Sequence, residues 1–82
     1  MKKLNVFMET MKKSGIMEEK DLMYMLSNFI EKENLSYNMI SKTYVGEKGY
    51  TSKCLTINFK EASLMLLFRK NILKNFKIIV AK

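Results

Sequence analysis

The side chains with most chemistry to offer lie between Lys42 and Lys53, where Lys42, Lys48 and Lys53 are interleaved with Tyr44 and Tyr50. Ammonium groups neutralise phosphates and release their counterions, and a nearby aromatic ring gives a base something to stack on. The same pattern also suits an ordinary β-hairpin whose edge lysines discourage pairing with another chain. Only one arginine, Arg69, stands among fourteen lysines. Bidentate contact with phosphate or guanine is an arginine property, so the balance tilts away from nucleic acid.

Other reactive chemistry is sparse. The chain has no histidine, which removes the usual general base and the commonest metal ligand. Cys54 is the only cysteine; it forms no intramolecular disulfide and, with no imidazole to activate it, reads as a small apolar filler. Neither a phosphate-binding loop nor metal-ligand spacing is present. The expectation is a protein that is not an enzyme, with no catalytic residue, no metal and no cofactor.

Charge is placed unevenly. Residues 1–41 carry six lysines and six acids, whereas residues 42–82 carry eight lysines and Arg69 against Glu47 and Glu61, so the whole net charge of +7 falls in the second half. The 48% apolar content belongs to a folded chain. With no prolines and no linker, residues 1–82 read as one domain. A secretory signal is not visible, the longest apolar run is five residues, and a single cysteine suits a reducing compartment, so a cytoplasmic protein is expected.

The elements that hold these residues follow from periodicity. Leu4, Phe7, Met8 and Met11 fall on one helical face, with Gly15 placed to end the helix and Ile16 to fold back over it. Alternation at Leu4, Val6 and Met8 would instead make this segment a strand. A second helix begins at Glu18, Glu19 and Asp21, presents Leu22, Leu26, Phe29 and Ile30, and closes at Asn34 and Leu35. Residues 36–45 and 50–59, joined by Gly46-Glu47-Lys48-Gly49, predict a β-hairpin whose second strand buries Leu55, Ile57 and Phe59.

Asn58 and Glu61 have the spacing of a capping box, which predicts a third helix to about Asn75 containing Leu64-Met65-Leu66-Leu67-Phe68, and then a central strand over Lys77–Lys82. The expected class is α+β, in the order α-α-β-β-α-β, with helices on one face of a three-stranded sheet and a parallel crossover into the last strand. With a strand at the N-terminus the order becomes βαββαβ, ferredoxin-like. The third strand of the RNA-recognition fold carries a Gly-aromatic signature, and residues 50–59 lack it.

Such a third helix would hold more apolar surface than one core face needs. Leu64, Leu66 and Leu67, rimmed by Arg69 and Lys70 and joined by the adaptable Met23 and Met25, are therefore the expected protein interface. These features point to a non-enzymatic regulator that binds a partner protein and self-associates as a homodimer. The alternative is a basic nucleic-acid-binding regulator using Lys42, Tyr44, Lys48, Tyr50, Lys53 and Lys74. Contact with an anionic membrane surface ranks third, because the apolar residues spread around the helix axis. In size and composition the chain resembles small basic accessory proteins of bacteriophages, which implies modulation of a host or phage protein.

Overall fold

A computed structural model describes residues 2–46 and 48–80. The first helix, α1, spans Lys2–Lys13 and buries Leu4, Met8 and Met11. It closes as the glycine position suggested: Gly15 takes φ +72°, its N–H donates to the Lys12 carbonyl, and the Ile16 N–H reaches back to the Met11 carbonyl. That pair of bonds satisfies carbonyls the helix end would leave unpaired. The second helix, α2 (Glu19–Lys32), buries Leu22, Leu26 and Ile30 and ends in the same motif. Here Asn34, at φ +52°, donates to Glu31, and Leu35 donates to Ile30.

The sheet is a meander of four antiparallel strands in the order β1-β2-β3-β4. Its members are β1 (Tyr37–Val45), β2 (Thr51–Phe59), β3 (Ala62–Arg69) and β4 (Ile72–Val80). The first hairpin lies where the sequence places it, with Val45 opposite Thr51; Glu47 in its connector is outside the described residues. Leu55, Ile57 and Phe59 are buried as expected, and Ser52, Cys54, Thr56 and Asn58 occupy the other face, half-buried.

The expected third helix is a correction. Residues 62–80 form a second hairpin, so the sheet has four strands rather than three and no parallel crossover. In a strand the LMLLF run divides cleanly: Ala62, Leu64, Leu66 and Phe68 face the helices and are buried, while Ser63, Met65, Leu67 and Arg69 face the other way. Period-two alternation thus accounts for a run that a helix would have scattered around its axis. Lys70 and Asn71, at φ +53° and +65°, make the two-residue turn. Two consecutive left-handed residues match the twist of paired strands and break any helix.

Asn58 caps nothing. Its amide donates to Asn38 Oδ1 at 3.2 Å, and its oxygen accepts from Ser63 Oγ at 2.6 Å, tying three strands across the open face. The expected last strand begins earlier, at Ile72, and β4 is an edge strand rather than a central one; residues 81 and 82 lie outside the described set.

One core joins Leu4, Met8, Met11, Leu22, Leu26 and Ile30 of the helices to Leu55, Ile57, Leu64, Leu66, Phe68 and Leu73 of β2–β4. No residue of β1 belongs to it. The connection between the helices straps the outer edge of β4: the Leu73 N–H donates to the Met17 carbonyl at 2.7 Å and the Glu19 N–H to the Asn71 carbonyl at 2.8 Å. Lys53 Nζ meets Glu19 Oε2 at 2.6 Å, pinning β2 to the start of α2.

Candidate functional site

The residues expected to form a protein interface are split by the strand. Leu64 and Leu66 are fully buried beneath the helices and offer no surface. Leu67, one position on, lies on the uncovered sheet face and is 42% exposed. Met23 and Met25 are half-buried and pack against the core from α2. Arg69 and Lys70 sit over the Tyr50 ring, with Arg69 Cζ 5.5 Å and Lys70 Nζ 4.1 Å from its centroid.

That arrangement also separates the residues expected to touch nucleic acid. Tyr50 already holds two cations against its ring, so a base would have to displace them to stack. Lys53 points to the helix side and is paired with Glu19. Lys42 and Tyr44 share the opposite, open face, with Lys42 across from Cys54 and Tyr44 across from Ser52. Lys48 is exposed in the first connector. Lys74 falls at the bulge in β4 and joins Tyr50, Arg69 and Lys70 around an open basic cleft of about 390 Å³. The six residues therefore make no single surface.

Two surfaces emerge that the periodicity did not single out. The first is a groove of about 630 Å³ between α1 and α2, lined by Val6, Phe7, Thr10 and Phe29 and framed by Lys2, Lys3, Lys32 and Glu33. Phe7 and Phe29 stack at its floor with ring centroids 4.8 Å apart, and Val6 is 57% exposed. Lys3 bonds Glu33 at 3.1 Å across the rim. The available signal was an α1 apolar stripe broadened by Val6 and Phe7 beyond the buried Leu4, Met8 and Met11.

The second surface is β1 itself. All nine of its residues are exposed, including the apolar Tyr37, Met39, Ile40, Tyr44 and Val45. Odd-numbered residues lie on the helix side of the sheet, but the helices stop short of them. Apolar side chains at both parities are the sequence mark of such a strand, and the edge-lysine reading of the hairpin hid it.

Among the described residues there is no grouping of three or more His, Cys, Asp or Glu side chains fit to hold a metal ion, and no helix is long and apolar enough to cross a membrane. Comparison with protein-family models, with curated proteins and with solved structures finds no match. The surfaces themselves therefore carry the functional argument.

Proposed function

We propose that this chain is a non-enzymatic regulator that modulates another protein by binding it, with an apolar side chain of the partner seated between α1 and α2. The observation that carries this reading is the stacked Phe7–Phe29 pair at the floor of an open groove whose surface is mostly apolar. Exposed aromatic surface in a concavity, ringed by polar groups, is how binding hot spots are built. Three lysines and one glutamate frame it. The complementary partner segment carries an apolar anchor with acidic residues beside it.

The test is retention of native-cell proteins on the immobilised chain, compared with Val6→Glu in the groove and Lys77→Glu on the distant sheet face. Val6 is exposed on α1, so the substitution leaves the core intact. A protein held by the parent and by Lys77→Glu, and released by Val6→Glu, supports the reading. Retention indifferent to Val6→Glu overturns it.

A second reading, binding of nucleic acid on the open sheet face, has one observation in its favour. By register that face carries Lys42, Arg69 and Lys77, and none of its described strand positions is acidic. Phosphate-driven binding would weaken steeply with salt and with Lys42→Glu or Lys77→Glu. Absence of a gel shift on RNA or DNA at low salt removes it.

A further inference from the structure

The two edges of the sheet are built differently. On the β4 side the ladder shifts register between Leu67 and Phe68, Lys74 and Lys77 project from the strand, and the Met17–Glu19 strap occupies the backbone groups of Asn71 and Leu73. Bulges, lysines and covering segments are the devices that keep an edge from pairing with another chain. β1 has neither bulge nor covering segment: its register is unbroken over nine residues, it contains no proline, and Lys42, its only charge, is the one such device it carries.

Its outward hydrogen-bonding groups can be assigned from the hairpin. The Gly46 N–H donates to the Tyr50 carbonyl at 2.7 Å, so the Val45–Thr51 pair next to it is of the non-hydrogen-bonded kind. Alternation along the ladder then turns the backbone of Asn38, Ile40, Lys42 and Tyr44 toward β2. Tyr37, Met39, Ser41, Thr43 and Val45 point theirs away from it. Apart from the ladder to β2, no backbone hydrogen bond of the described residues involves β1.

We propose that β1 pairs with β1 of a second copy of this chain, antiparallel about a two-fold axis through Ser41, to make a continuous eight-stranded sheet. Only this register engages all five outward residues of both strands at once. Across the interface Tyr37 faces Val45, Met39 faces Thr43 and Ser41 faces Ser41 on the helix side; on the open side Asn38 faces Tyr44 and Ile40 faces Lys42. Every directly opposed pair is free of charge repulsion, the two Lys42 side chains meet only diagonally across the axis, and the aromatic–β-branched pairing is a favourable one. Pairing covers Tyr37, Met39 and Val45, which are 53%, 43% and 76% exposed in the single chain. The two edges left over are both the protected β4. An isologous two-fold contact of this kind closes on itself and does not grow into a filament. It needs nothing seated in the α1–α2 groove.

Sedimentation of the full chain from about 1 to about 300 μM, in salt from about 0.05 to about 0.5 M, reads the association. The expected result is a rise toward twice 9.7 kDa, stronger at high salt because each copy carries +7. Ser41→Lys sets two ammonium groups opposite each other on the axis, and Ser41→Pro removes an N–H that the single chain leaves unbonded; both should be folded by circular dichroism and monomeric throughout. Amide hydrogen exchange supplies the register. Amides of Met39, Ser41 and Thr43 should gain protection as protein concentration rises, while those of Ile40 and Lys42 are protected at every concentration. A parent that stays monomeric at the top of the range, or a dimer that survives both folded Ser41 variants, overturns the proposal. Val6→Glu should leave the dimer untouched, so failure here and failure of the groove reading are told apart.

Discussion

Leu66 and Leu67 are neighbours in the chain and opposites in environment, which makes them a sensitive gauge of the strand. Leu66 is wholly buried in the core between the helices and the sheet, whereas Leu67 stands on the open face. Truncating a buried leucine removes its transfer energy and leaves a cavity, so Leu66→Ala should cost about 2–5 kcal/mol in urea denaturation. Leu67→Ala should cost less than about 1 kcal/mol. Similar losses at both sites would contradict the alternation. The Lys53–Glu19 contact is more modest: both side chains are partly solvated, at 33% and 21% exposure. Screening and the entropy of ordering two long side chains limit its worth. Glu19→Gln should therefore lower stability by no more than about 1 kcal/mol in the same assay.

At the scale of elements, helix ends and the first hairpin were legible because their punctuation is local. Gly15, Asn34 and the Gly46–Gly49 connector each mark a place where the backbone turns left-handed or reverses, and apolar spacing between them fills in the rest. The second hairpin was not legible for equally physical reasons. Its turn uses Lys70 and Asn71 without glycine, its first strand is built largely from Leu and Met, which favour helices in isolation, and Leu64, Phe68, Ile72 and Phe76 coincide with helical spacing. Packing against α1 and α2 overrides that preference. The turn can be tested directly: Asn71→Val places a β-branched residue at φ +65°, at a cost of about 1–2 kcal/mol. Thermal denaturation should fall by about 4–8 °C for each kcal/mol in a chain of this size. At an exposed helical position the same change would be nearly silent. Gly15→Ala, at φ +72°, should cost about 1 kcal/mol for the same reason.

For the whole molecule the governing quantity is charge. Fifteen cationic side chains face eight acids, and among the described residues only Lys3–Glu33 and Lys53–Glu19 lie within ion-pair distance. Net positive charge repels itself most strongly in the compact state, and salt screens that repulsion. Salt also weakens the two pairs, but partly exposed pairs contribute only about 0–1 kcal/mol each. Repulsion should win. Raising sodium chloride from about 0.05 to about 0.5 M shortens the screening length from roughly 14 to roughly 4 Å, and the melting temperature should climb with it. The measurement belongs on Ser41→Lys at low protein concentration, since pairing through β1 would raise the melting temperature of the parent by mass action. A melting temperature that falls with salt would mean that the ion pairs outweigh the excess lysines. Sodium sulfate at matched ionic strength adds a control for anions gathered by Arg69, Lys70 and Lys74. A rise no larger than that in chloride, after allowance for the general stabilising effect of sulfate seen with a neutral osmolyte such as sucrose, would mark the effect as screening of net charge rather than occupancy of that cleft.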